Sequence, residues 1–291
     1  MRGRTDTVAA WGFLSPTLCL LGGLAVYPFA YAVYLSMTTA QVGVPGHFVG
    51  LGNYRRLLDI EIFTLTLWNT VGYTVAAVAA KLVLGVVLAL VLARPAPGMK
   101  WIRGAVLVPW VVPASLGVLA WTWMFDSTYS VFNWTLRALG LISTPIGWLG
   151  VPSLARFAVV LVNVWSGLPF FAINFLAGLV TIPRELYEAA TVDGAGSAAR
   201  FWRITLPLLR PVLATVLLFS VVMTSSDFAT VFVLTRGGPV NTTQILATLA
   251  FKFGLATGDL GNAAAISLYL FPVLALATYV QVRLMRRTWQ W

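Results

Sequence analysis

Charged side chains are scarce in this sequence. They make up 10% of its 291 residues, against about a quarter in a soluble domain. Too few are present to cover a water-facing surface, which excludes an ordinary soluble globule. Histidine occurs once, at His47, which excludes an HExxH metal site and a histidine-based catalytic triad. Cysteine occurs once, at Cys19, so no internal disulfide can form. The lysines are Lys81, Lys100 and Lys252, followed by Leu, Trp and Phe. None closes a GxxxxGK[ST] loop, so the chain has no such phosphate cradle and no ATP site of that kind. The glutamates are Glu61, Glu185 and Glu188, none of them inside an apolar run, which leaves little for an intramembrane carboxylate enzyme.

Apolar residues fill the space that charge leaves. They form 59% of the chain, and the mean hydropathy is +0.86, which excludes intrinsic disorder. Six long apolar segments lie at about 11–37, 66–92, 104–125, 157–180, 212–234 and 263–282. Each is long enough to cross a bilayer as a helix, which takes about 20 residues. The alternating strands of about 10 residues that mark a barrel are missing. The predicted fold is therefore an all-α membrane protein of six transmembrane helices, a single domain over 1–291. The first segment is too long for a signal-peptide core and lacks a clear cleavage site. Pro16, Pro28, Pro109, Pro113, Pro169 and Pro272 fall inside the segments. Breaks there point to a lined pathway, because freed backbone groups need neighbours or a cavity.

The net charge of +10 is unevenly spread. Twelve basic residues flank one side of the predicted spans, among them Arg2, Arg4, Arg200, Arg203, Arg286 and Arg287; six flank the other. The positive-inside rule then puts both termini in the cytoplasm, and the basic excess needs no nucleic-acid partner. Lys81 and Asp227 are the ionisable residues inside predicted spans. Such groups face a cavity or a partner, so they line a path or pair structurally.

One long loop, 181–211, falls on the cytoplasmic side. Its core reads IPRELYEAATVDGAGSAARFWRITLPLLRP over 182–211. Pro183 suits a helix start. Leu186, Ala189 and Ala190 share one helical face. Asp193-Gly194 signals a turn, and Ser197 is placed to cap a second short helix carrying Phe201 and Trp202. These residues predict a helix–turn–helix outside the bilayer. Periodicity alone fits an interfacial helix pair equally well.

The spacing of particular residues carries a resemblance. Glu188-Ala189-Ala190, three residues, Gly194, nine residues, then Ile204-Thr205-Leu206-Pro207 resembles the EAA motif of binding-protein-dependent ABC transporter permeases. Asn163 and Trp165 in VNVW, Gly237-Gly238-Pro239 after VLTR, and Gly261-Asn262 opening GNAAAIS are similar to the carbohydrate-uptake branch, in its MalF/UgpA-type subunit. The resemblance implies a type I importer fold in a bacterial or archaeal cytoplasmic (inner) membrane. It implies a second permease subunit, a pair of ATPase subunits that bind the ATP and Mg, and an extracytoplasmic binding protein that delivers the solute. No cofactor is expected in this chain, which is not itself an enzyme. Glu188, Ala189, Ala190, Asp193, Gly194, Ile204 and Pro207 would form the coupling segment that docks on the ATPase.

The resemblance also implies a substrate path. The sugar-contact positions of the maltose permease fall on Trp110, Ala114, Asn163, Ser166, Gly167, Ser220 and Thr224. Ala114 stands where that protein has a hydroxyl, and Thr224 where it has an amide, which implies a different sugar or a looser site. Asp227 follows Thr224 by one turn if the helix is regular. Trp121 and Trp123 read as interfacial or packing aromatics. The expected solute is a sugar or polyol. Glycerol-phosphate import would call for basic residues at these positions, and spans three to five supply none. An ion-gradient carrier would call for several intramembrane carboxylates and an inverted repeat, and neither is visible.

Overall fold

Backbone groups in a lipid-facing chain must be paired within the segment, so apolar runs become helices. The computed structural model describes residues 2–288. Met1 and 289–291 of the predicted domain lie outside the described residues, as do the side chains of Arg2, Arg4, Arg286 and Arg287. The described residues hold no strand, only three isolated bridges.

Helix α1 (Arg2–Leu21) passes through a π-turn at Gly22–Val26 into α2 (Tyr27–Ser36), and α3 (Gly52–Leu58) is short. Helix α4 (Glu61–Leu92) is 32 residues long, about 48 Å at 1.5 Å per residue. Next come α5 (Met99–Val106), α6 (Val108–Val111), α7 (Ala114–Met124) and α8 (Val131–Ala138). Helix α9 (Pro152–Val180) leads to α10 (Arg184–Val192) and α11 (Ser197–Arg200). A π-turn at Phe201–Thr205 joins α11 to α12 (Leu206–Ser225), which is followed by α13 (Phe228–Leu234). The chain ends with α14 (Leu246–Phe251), a π-turn at Lys252–Ala256, α15 (Leu260–Leu268) and α16 (Phe271–Thr288). Among the described residues five helices are long and apolar enough to cross a membrane, and a sixth span results if the bent pair Met99–Val111 and Ala114–Met124 counts as one.

That pair is bent by 93°. Pro113 is the cause: it has no N–H to continue the helix, and it forces Val112 into extended backbone at ψ 129°. Pro169 behaves differently. Helix α9 runs unbroken through it, so the sequence expectation of a broken helix there does not hold. Pro169 is buried, and packing on its neighbours keeps the helix continuous across the missing bond.

The chain divides into two compact units. In the first, residues up to Ile60 with Leu249–Phe271, α2 packs on α15. Asn53 ties the end of α2 to the following loop, its Nδ2 donating to the Ser36 and Thr38 carbonyls at 2.8 and 2.7 Å. Asp259 caps α15 by accepting from the Asn262 N–H at 2.9 Å. A Cβ on Gly261 would stand 2.1 Å from the Thr38 carbonyl oxygen. The Gly261-Asn262 pair of the motif is therefore a cap and a close crossing.

In the second unit, Glu61–Thr248 with the chain from Pro272 on, α4 packs along α9, and α12 along both. Glycines set the spacing. A Cβ on Gly85 would stand 2.5 Å from the Phe171 Cβ, and one on Gly178 2.7 Å from the Leu209 Cδ2. One core gathers Phe171, Phe175, Val216 and Ala89. The other gathers Val118, Phe125, Val162 and Val231, with Trp121 packed beside them. Trp121 is thus a packing residue, 5.5 Å from Phe125 and 5.6 Å from Trp165, whereas Trp123 is exposed.

Candidate functional site

The second unit buries a chain of polar side chains between α4, α9 and the junction of α12 with α13. Lys81 of α4 is 4% exposed. Its Nζ donates to the Asn163 Oδ1 and to the Thr224 Oγ1, each at 2.9 Å. The Asn163 Nδ2 donates to the Asp227 Oδ2 at 2.7 Å. The same carboxylate oxygen accepts from the Tyr73 hydroxyl at 2.8 Å. Its other oxygen accepts from the Thr230 N–H at 3.1 Å, which caps α13. Both the buried lysine and the half-buried aspartate are therefore hydrogen-bonded, as ions withdrawn into an apolar surrounding must be.

Asp227 does not continue the fifth span. Helix α12 ends at Ser225, and Asp227 opens α13 as its N-cap with ψ 77°. The assumption of a regular helix from Thr224 to Asp227 is corrected here. An aspartate prefers to cap rather than to sit inside a helix, because its carboxylate can take the free N–H groups of the first turn.

Of the predicted path residues, Asn163, Thr224 and Asp227 share this network. Gly167 borders it: a Cβ there would stand 2.8 Å from the Lys81 Cδ. Ser220, one turn before Thr224, is buried with an unpartnered Oγ. The Ser166 hydroxyl donates to the Asn163 carbonyl at 3.1 Å. Trp110 and Ala114 lie apart from the network, on α6 and at the start of α7, both exposed. The Trp110 ring stands 6.4 Å from Phe170, which stands 5.0 Å from Phe219. Spans three to five indeed supply no basic side chain here, but α4 does: Lys81 touches two of the predicted positions. Sequence reasoning missed Tyr73 and the reach of Lys81. The available signal was that Lys81 and Asp227 are the ionisable residues in the spans, and such groups seek polar company.

The predicted coupling residues form a separate surface. Helix α10 starts after Pro183 and closes at Asp193. Gly194 takes φ +80°. Its N–H donates to the Thr191 carbonyl at 3.0 Å, and the Ala195 N–H to the Ala190 carbonyl at 2.8 Å, the paired bonds of a Schellman end. Glu188 and Ala189 are exposed and Ala190 is half-buried. Glu188 borders a shallow hollow of about 300 Å³ with Tyr187, Thr191, Val192 and Arg200. Ser197 does not cap α11: that position belongs to Gly196, in extended backbone, with no side-chain cap. Ile204 and Pro207 lie half-buried at the root of α12. There the Thr205 hydroxyl meets the Tyr187 hydroxyl at 2.9 Å, which ties α10 to the base of the fifth span.

Residues 81–290 match the family of binding-protein-dependent transport system inner membrane components. The chain belongs to this family. The permease is 38% identical to the sulfoquinovosyl glycerol transport system permease protein SmoG of Agrobacterium fabrum, over 97% of this chain and 91% of that protein. It is 36% identical to the trehalose/maltose transport system permease protein MalF of Thermococcus litoralis, over 93% of this chain and 91% of that one. Among solved structures it resembles a bacterial ABC transporter for the acidic polysaccharide alginate, with a TM-score of 0.84 at 22% identity, covering 99% of both chains. That likeness establishes the importer-permease fold. The permease is thus a helical inner-membrane transport component.

Proposed function

We propose that the permease is one of two membrane subunits of an ATP-driven importer that moves a sugar across the cytoplasmic membrane by alternating access. Residues 1–291 form one permease domain with both termini in the cytoplasm, and 181–211 is its coupling loop. A separate ATPase pair binds the ATP and Mg, this chain holds no cofactor, and an extracytoplasmic binding protein delivers the solute. The exposed, glycine-closed α10 bearing Glu188 and Ala189 carries this assignment. The two relatives named for sugar transport support it, as does the motif spacing.

The geometry suggests how force would travel. A push on α10 reaches the Tyr187–Thr205 contact, and from there α12. The helical run Ser197–Ser225 is 29 residues long and ends beside Thr224 and Asp227. Movement at the cytoplasmic end therefore reaches the polar network directly. Asn163, Ser166, Gly167, Ser220 and Thr224 would supply the polar side of the solute path, and Trp110 with Ala114 its apolar side. Sugars pair apolar ring faces with hydroxyl rims, so both kinds of surface are needed. Lys81 favours a second reading of the substrate, an acidic sugar, because a cation stands among the predicted contacts.

Uptake by proteoliposomes containing the permease, its partners and the loaded binding protein tests this. ATP-dependent uptake is expected for a member of a panel of neutral and acidic sugars. Glu188→Lys is expected to abolish uptake while the binding protein still docks. Undiminished transport by that variant refutes the coupling role of α10.

A further inference from the structure

Lys81 stands on α4, outside every position that the maltose-type pattern assigns to solute, yet it organises two of them. We propose that Lys81 is a positioning residue of the solute path, fixing Asn163 and Thr224 so that the site offers hydrogen-bond donors to an oxygen-rich solute. This rests on the sugar-permease reading above.

Hydrogen-bond accounting carries the proposal. An ammonium has three donors and no acceptor. Two of the Lys81 donors go to the Asn163 Oδ1 and the Thr224 Oγ1. That fixes which end of the Asn163 amide accepts, and sends its nitrogen to Asp227. A Thr224 oxygen that accepts from an ammonium turns its own proton elsewhere. Both Asp227 oxygens are occupied, one by Tyr73 and Asn163, the other by the Thr230 N–H. The Asn163, Thr224 and Asp227 oxygens thus each accept at least one bond from within the cluster. The donors that remain are the third N–H of Lys81, the Thr224 proton and the buried, unpartnered hydroxyl of Ser220. Sugar hydroxyl, ring and carboxylate oxygens are acceptors that suit them. Gly167 then has a reason to be glycine, because any Cβ would push on the Lys81 Cδ at 2.8 Å.

The competing role for Lys81 is charge balance for Asp227, and the two separate cleanly. The measured quantity is solute moved per ATP in the reconstituted importer at saturating loaded binding protein. Lys81→Met is expected to lower that ratio roughly tenfold, the scale of one lost charged hydrogen bond, while the loaded binding protein still stimulates ATP hydrolysis. The double variant Lys81→Met/Asp227→Asn, which removes both charges, is expected to stay low. Recovery of the wild-type ratio in the double variant, or an unchanged ratio in the single one, overturns the proposal. Should Lys81→Met fail to assemble, Gly167→Ala displaces the lysine with both charges intact, and an unchanged ratio there overturns it equally. A wild-type importer that neither transports any sugar nor responds to loaded binding protein refutes the sugar-permease reading instead.

Discussion

Asn163 is the residue that joins the two charges, for its one amide faces the lysine with its oxygen and the aspartate with its nitrogen. An amide is the side chain that can serve both at once, being donor and acceptor on one planar group. Gly194 is set by a different demand. Nothing lies within 4 Å of where its Cβ would be, so crowding does not select glycine there. The positive φ does, since an L side chain in that conformation costs about 1–2 kcal/mol. Gly194→Ala is expected to weaken the end of α10 and reduce ATP-coupled uptake. Gly194→Asn, which enters the left-handed region more readily, is expected to retain more of it. Equal uptake by the two variants in proteoliposomes would show that conformation is not what the position needs.

The helices differ in how openly their ends are written in the sequence. Pro109 and Pro113 announced a break, and the bend is there. The break at Asp227 was hidden because the short polar run Thr224-Ser225-Ser226-Asp227 is flanked by long apolar stretches, and hydropathy averaged over a span registers lipid contact rather than backbone continuity. Pro169 misled in the other direction, since α9 runs unbroken through it where it is buried. Along α4, two glycines in one apolar run look alike and are not. Gly85 lies against Phe171, whereas Gly72 has nothing within 4 Å of its Cβ direction. Gly85→Ala is expected to destabilise the permease by about 1–3 kcal/mol through overpacking. Gly72→Ala is expected to be neutral, or to stabilise by up to about 1 kcal/mol through helix propensity. Unfolding of the two variants in detergent measures the contrast, and equal destabilisation would mean that the α4–α9 contact is not the controlling one.

For the molecule as a whole, class and family were legible: long apolar runs, few charges and the EAA spacing lead to a helical permease. The assembled polar site was not, because Lys81, Asn163 and Asp227 are far apart in the chain and no spacing rule joins them. Orientation is a whole-molecule property with its own check. In a background where Cys19 is replaced by Ser, a membrane-impermeant thiol reagent is expected to label Val192→Cys only from the cytoplasmic side and Val240→Cys only from outside. Both wild-type residues are highly exposed, and the opposite pattern would invert the topology. The polar network also bears on how the chain is made. Ribosomes release Lys81 and Asn163 before Asp227, which follows the lysine by about 146 residues, or roughly 7–30 s at about 5–20 residues per second. For that interval the nascent cation has no counter-charge from this network, so the insertion machinery, lipid headgroups or trapped water must shelter it until translation reaches the aspartate.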